Sequence, residues 1–369
     1  MTEPEGLTYA DAGVDIHAGD KAVELMRAAV SRTHGPEVLG GVGAFAGLFD
    51  ASALLDYERP LLASSTDGVG TKIVIAQQMG VHDTIGRDLV AMVVDDIVVC
   101  GAKPLLMTDY IACGRVVPER IADIVRGIAE GCEDAGVALV GGETAEHPGV
   151  MGEDEYDVAG AAIGVVEASK LLGPEKVKAG DVVIALESSG LHSNGYSLVR
   201  SIVARAGWTL DTYVPELERQ LGAELLEPTR IYARLCVGLA EAIPGLHAFS
   251  HVTGGGLAAN LARVLPQGLA ATVARDSWSL PTVFSLLQDA GGVPWSDLES
   301  TLNLGIGMVA VVAPEDAAAV IEACGSVGLP SWQIGEVGTD PGRPTSPDVV
   351  RGAKGVDGGS VHLTGAYRT

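Results

Sequence analysis

Residues 84–112 read TIGRDLVAMVVDDIVVCGAKPLLMTDYIA, and the way this stretch divides decides the fold. Its first part, 84–100, is long enough for a helix, and Gly101 followed by Pro104 supplies the stop signals. LLMTDYIA (105–112) then reads as a strand. On the N-terminal side, LLASST (61–66) reads as a buried strand. On the C-terminal side, PERIADIVRGIAEGCEDAG (118–136) is the clearest helix. Pro118 fits its first turn, Ile121, Ile124, Val125, Ile128 and Cys132 form one apolar stripe, and Gly136 ends it. VALVGG (137–142) and DVAGAAIGVVE (157–167) continue the series as strands.

LLGPEKVKAGD (171–181) carries the glycine, proline and charge of a domain boundary, and a second alternating series follows it. The fold class is therefore α/β, or more broadly α+β, with mixed sheets covered by helices. The expected domains are 1–170 and 171–338. From 339 the chain turns to TDPGRPTSPDVVRGAKGVDGGS, rich in Pro and Gly without periodicity, and is expected to form a mobile tail.

Composition narrows the function classes. A chain of 369 residues suits two domains. A net charge of −24 argues against bulk attraction to nucleic acid or an anionic membrane. No apolar run approaches the roughly 18 residues of a membrane span. The acidic start, MTEPEGLTYADAGVD, has neither the basic nor the apolar region of a secretory signal. Five scattered cysteines without a CxxC pair fit a reducing cytoplasm. Solubility is the plain reason for the acidity, but any phosphate ligand would then need cations placed locally.

Four stretches could carry chemistry. STDGVGTK (65–72) follows a buried strand; its glycines let backbone N–H groups approach a ligand, and Lys72 could reach a phosphate oxygen. The spacing is not that of a Walker A loop, and a turn with a surface lysine is the competing reading. GGVGAFAG (40–47), with Gly41 and Gly43, is a second glycine-rich loop that misses the dinucleotide fingerprint. Asp95 and Asp96 lie inside an apolar helix, where adjacent carboxylates need a partner or a metal unless they reach solvent. SSGLHSNGYSLVR (188–200) and HVTGGGLAANL (251–261) repeat one design in the second half: strand end, His, hydroxyl residue, glycine, helix. Helix N-termini of this kind seat anions, so the two loops point to a shared ligand. His247 and His251 are four apart, but HAFSHVTGGG does not read as a helix, so no zinc site is expected.

In order along residues 9–338, YADAGVDIHAG, STDGVGTK, HDTIGRDLVAMVVDD, GAKP, LVGGETAE, SSGLHSNGYSLVR, EPTRIY, HVTGGG and LNLGIGM resemble the phosphoribosylformylglycinamidine cyclo-ligases, the aminoimidazole ribonucleotide synthetases of purine biosynthesis. Asp96 to Pro104 also matches the D-x4-GA-x-P element of a wider superfamily of ATP users. SSGLHSNGYSL, HVTGGG and GVDIHAG are the more specific signals. Three positions depart from the pattern: Asp95 where many members carry asparagine, His147 for methionine, and Leu302 for phenylalanine.

The resemblance implies a two-domain ATP-using synthetase fold and a homodimer joined through N-terminal sheets. It implies that ATP phosphorylates the formamide oxygen of formylglycinamidine ribonucleotide, after which an amidine nitrogen closes the imidazole ring and expels phosphate. Carried over to this chain, Gly41, Gly43, Asp67, Gly68, Gly70, Thr71, Lys72 and Asp96 would meet ATP. Asp67, Asp95, Asp96 and Glu143 would hold Mg²⁺. His192, Ser193, Asn194, His251, Thr253 and Gly254 would contact the substrate, with Lys72, His192, Asn194 and His251 as catalytic candidates. Two other classes stay open on the residues: a thiamine-phosphate-kinase-like small-molecule kinase, and a non-catalytic nucleotide-binding dimer.

Overall fold

The structure is a computed structural model and describes residues 13–352 and 355–368. The start of the YADAGVDIHAG motif, residues 9–12, and the acidic N-terminus lie outside the described residues.

In the first half, a short hairpin of β1 (Val38–Leu39) and β2 (Leu48–Phe49) precedes a four-stranded sheet. The sheet is built from β3 (Pro60–Gly68), β4 (Lys103–Cys113), β5 (Ala138–Glu146) and β6 (Tyr156–Glu167), in the order β3-β6-β4-β5. Its β4–β5 pair is parallel and the other two are antiparallel. The helices are α1 (Ile16–Arg32), α2 (Ile73–Met79), α3 (Asp83–Val98) and α4 (Pro118–Ala135).

Helix α3 stops two residues before the expected end, and Gly101 turns the chain at φ 81° into β4. It packs closely on α4 because two glycines stand at the crossing. A Cβ on Gly127 would lie 1.8 Å from the Asp83 carbonyl oxygen, and one on Gly86 2.2 Å from the Ile128 amide. The apolar stripe expected on α4 is buried in full. The sheet's other face is open: Leu62, Tyr110 and Ile163 share it by pleat alternation, exposed by 65%, 41% and 37%.

The second half is organised around a seven-stranded sheet of order β10-β12-β7-β13-β11-β15-β14. Its strands are β7 (Val182–Glu187), β10 (Leu246–His251), β11 (Leu269–Ala274), β12 (Ile306–Val312), β13 (Ser331–Thr339), β14 (Val349–Arg351) and β15 (Ser360–Thr364). A small hairpin of β8 (Tyr213–Val214) and β9 (Arg219–Gln220) stands apart. Every residue of β10 and β12 is buried; β12, IGMVAVV, is a continuous apolar run, whereas β10, LHAFSH, buries two histidines and a serine. His247 and His251 lie on a strand, as their surroundings suggested.

The tail departs from expectation. Rather than a mobile end, residues 349–364 add two strands: β15 runs parallel to β11, from Ala270 opposite Ser360 to Ala274 opposite Thr364, and β14 pairs with it at the edge. Val361 and Leu363 supply the apolar burial that the Pro/Gly-rich flanks conceal.

Candidate active site at the seam between the halves

Two carboxylates stand on one face of the first sheet. Asp67 pairs with Gly160, Gly160 with Asp109, and Asp109 with Gly142, so the four form one register row. Directly paired residues point the same way, which sets Asp67 and Asp109 on one side with a glycine between them. Asp109 helps line a cavity of about 240 Å³ with Gly41, Gly43 and Glu143. Burial pushes its carboxyl up to about 7. Gly142 is required beside it, since a Cβ there would lie 1.9 Å from Asp109 Oδ1. Asp109 belongs to no glycine-rich motif, although its alternation with the buried Met107 and Ile111 puts a carboxylate on the core face of LLMTDYIA. Glu143 pairs with Tyr110, on the opposite pleat from Asp109, yet reaches the rim of the same cavity.

Lys72 is not where a surface phosphate contact requires it. The side chain is fully buried, its Nζ donating to Asp88 Oδ1 at 2.8 Å and to the Glu227 carbonyl at 2.7 Å. Burial pulls the ammonium's pKa down, against the attraction of Asp88. Both ions belong to the first half, and the tie to the second runs from Lys72 Nζ to the Glu227 carbonyl and from Thr229 to Asp88. Asp88 Oδ1 also accepts from the Thr229 amide at 2.7 Å and the Thr229 hydroxyl at 2.6 Å, and Thr229 Oγ1 lies 2.9 Å from Ser193 Oγ. Because Thr229 gives its hydrogen to the carboxylate, Ser193 donates to Thr229 and keeps only lone pairs for a ligand. Thr71 adds a second tie, 3.2 Å from Ser197. Gly68 N donates to Asp67 Oδ1 at 2.8 Å, and Gly70 turns at φ 69°.

The acidic pair on α3 splits. Asp95 is fully buried and both of its oxygens accept from the Tyr232 amide at 3.1 Å. Burial raises its carboxyl to about 7, opposed by the charge of His251 and the Tyr232 N–H. It therefore serves the seam rather than an open ligand position. Asp96 is half-exposed, and its Oδ1 lies 2.8 Å from His251 Nδ1. Burial alone would lower the His251 pKa, but the hydrogen bond and charge of Asp96 outweigh it and the net shift is upward. Among the described residues no group of three His, Cys, Asp or Glu could by itself hold a metal.

His192 occupies the left-handed region at φ 60°, uncommon for a residue with a side chain. Burial holds its imidazole far below the ordinary value, so it is neutral. Its Nε2 accepts from the Ser189 amide at 3.1 Å, which leaves the proton on Nδ1, a buried donor with no partner. His251 Nε2 is likewise buried without a partner. The two loops meet here: Asn194 Oδ1 lies 3.4 Å from where a Gly254 Cβ would stand, and Asn194 Nδ2 faces Met92 Sδ of α3 at 3.8 Å. Thr253 is buried against Asn260.

Comparison with known proteins gives a consistent result. The family model described as AIR synthase related protein, N-terminal domain, matches residues 49–166, and the corresponding C-terminal domain matches 178–344. A phosphoribosylformylglycinamidine cyclo-ligase of Geobacillus kaustophilus is 52% identical over 330 residues, covering 89% of this chain and 95% of the relative. One from Desulfitobacterium hafniense is 51% identical over 332 residues, covering 90% and 97%. In fold alone, the chain is similar to thiamine-monophosphate kinase from Stenotrophomonas maltophilia, with a TM-score of 0.65 at 21% identity over 94% and 97% of the two chains. Its fold is also similar to that of hydrogenase maturation protein HypE in complex with ATP, with a TM-score of 0.61 at 17% identity over 90% and 89% of the two chains.

Proposed function

Because this chain belongs to the phosphoribosylformylglycinamidine cyclo-ligase family, and closes the imidazole ring of 5-aminoimidazole ribonucleotide with ATP, we propose that the reaction is divided across the seam. The nucleotide end belongs to the first half and the amidine substrate to the second. The observation that carries this division is the set of side-chain links from α3 and the Gly70–Lys72 turn to the loops at His192 and His251.

Gly41, Gly43, Gly68, Gly70 and Thr71 offer backbone and hydroxyl groups to the phosphates, beside the carboxylates of Asp67, Asp109 and Glu143. Two or three carboxylates completed by phosphate oxygens is a donor set that Mg²⁺ accepts, so these residues suit it without forming a protein-only cage. Bound Mg²⁺ would offset the charge of the transferring phosphoryl group. Asp96 meets the nucleotide end from the seam and orients His251. Lys72 acts from inside the protein, fixing the turn that carries Gly70 and Thr71.

A formamide oxygen is a poor leaving group, and its phosphorylation makes phosphate the group expelled when the amidine nitrogen attacks. The chain's part is to align, to donate and to exclude water. His192 Nδ1–H is suited to an oxygen that gains charge, and Ser193, left with acceptor capacity, to an N–H or O–H of the substrate. Asn194, Thr253 and Gly254 complete the loop contacts. Five free thiols accord with the cytoplasm, and no described helix is long and apolar enough to cross a membrane. The open face of the first sheet, with Leu62, Tyr110 and Ile163, suits a homodimer.

The division is tested by two variants. Asp67→Asn should impair the ATP-dependent parameters, and Thr253→Ala should raise KM for formylglycinamidine ribonucleotide, each by about tenfold, the scale of one hydrogen bond to a charged or buried group. Equal effects of both variants on both substrates would refute it.

A further inference from the structure

Both ligand loops of the second half rest on one short segment, residues 299–305. Gly256, at φ 70°, packs so closely that a Cβ would lie 1.7 Å from the Glu299 carbonyl oxygen. A Cβ on Gly195, at φ 78°, would lie 2.4 Å from Leu302 Cδ2. Asn303 donates its amide to the Gly190 carbonyl at 2.8 Å, at the start of the His192 loop. A displacement of 299–303 therefore moves both loops together.

The opposite side of this segment is held by the C-terminal end of the chain. Tyr367 donates its hydroxyl to Glu299 Oε1 at 2.7 Å, and the Arg275 guanidinium grips the same carboxylate through Nε and Nη2. The Tyr367 ring stands 5.4 Å from both Trp278 and Trp295, with Arg275 at 5.9 Å over its face. Trp278 in turn donates to the Leu304 carbonyl at 3.0 Å. Pairing of β15 with β11 delivers Tyr367 to this spot. Of these groups, β15 and Tyr367 lie past residue 344, where the match to the C-terminal family model ends, while Arg275, Trp278, Trp295 and Glu299 lie within it.

We propose that Tyr367 is a positioning residue for the amidine substrate: through Glu299 it fixes the 299–305 segment on which the His192 and His251 loops sit. Glu299 is 9% exposed, and its rotamer is set by the Arg275 fork together with the Tyr367 hydroxyl. Loss of the hydroxyl leaves ring packing intact and frees one carboxylate oxygen from one donor. Small misplacements of binding groups are costly even when their source is distant from the chemistry.

The inference rests on the reading of these loops as the amidine site, so the test carries an arm for each. In the full-length enzyme, Tyr367→Phe should raise KM for formylglycinamidine ribonucleotide about three- to tenfold. KM for ATP should stay within about twofold and the melting temperature within about 2 °C. Thr253→Ala, a residue of the loop itself, should raise the amidine KM independently of Tyr367. If Thr253→Ala raises it and Tyr367→Phe does not, the positioning role is refuted while the loop reading stands. If neither does, both fail. A fall in melting temperature with unchanged KM, or equal rises in both KM values, would make Tyr367 a stabilising residue only and overturn the proposal.

Discussion

Lys72 stands beside glycines in the sequence, as a surface phosphate contact would, but its side chain is buried. A lysine contacting a phosphate at the surface would be dispensable for folding. A lysine buried against Asp88 is not, because its removal strands a carboxylate that already leaves Oδ2 without a partner. Lys72→Met should therefore lower the unfolding free energy by about 3–5 kcal/mol, measured by urea titration without ligands. An unchanged midpoint would return Lys72 to the surface role. The sequence announced the lysine but not its partners. Asp88 lies 16 residues away and the Glu227 carbonyl 155, and nothing in a local pattern connects them. Asp109 is the converse: its partners are close in register and its face was readable, but a carboxylate inside a strand draws less notice than one beside glycines.

At the scale of elements, α3, α4 and the strands around them were readable because period, proline and glycine agree. The C-terminal end of the chain was not. Residues 339–359 carry the composition of a loop, and the five-residue β15 is too short to stand out beside it. What holds β15 is tertiary: pairing with β11 and burial of Val361, His362 and Leu363. His362 makes that burial sensitive to pH. Burial lowers its pKa below the ordinary value near 6.5, partly opposed by Asp340 and reinforced by Arg343 and Arg351. A depressed histidine pKa means that the unfolded chain binds the proton first on acidification. Its contribution is therefore complete above about pH 6.5 and lost as pH falls below that value. Thermal unfolding of the protein should drop in midpoint between pH 7.5 and 5.5, and His362→Gln should show a shallower drop. Parallel pH profiles would mean that His362 is not titrating inside the sheet.

At the scale of the whole molecule, two features organise the account: an open sheet face and a seam. Among the described residues no helix covers the face bearing Leu62, Tyr110 and Ile163, although the opposite face is covered. If two copies meet there, solution scattering or sedimentation should give twice the chain mass, and Leu62→Lys should shift the population towards monomer. A wild-type protein at monomer mass across micromolar concentrations would exclude this dimer. The seam matters more, because under the proposed division it would join the nucleotide loops to the substrate loops. The motifs mark both sets of loops as candidates without connecting them; the connecting links run through Asp88, Thr229, Asp96 and His251.

Phosphoryl transfer and ring closure are one coupled reaction on this chain. Purified protein incubated with formylglycinamidine ribonucleotide, ATP and Mg²⁺ tests it directly, with ADP and 5-aminoimidazole ribonucleotide followed together. Coupling requires one aminoimidazole for each ADP, with no ADP release when the amidine is omitted. ADP accumulating in the presence of the amidine without aminoimidazole would contradict it and make the chain a kinase built on the same fold.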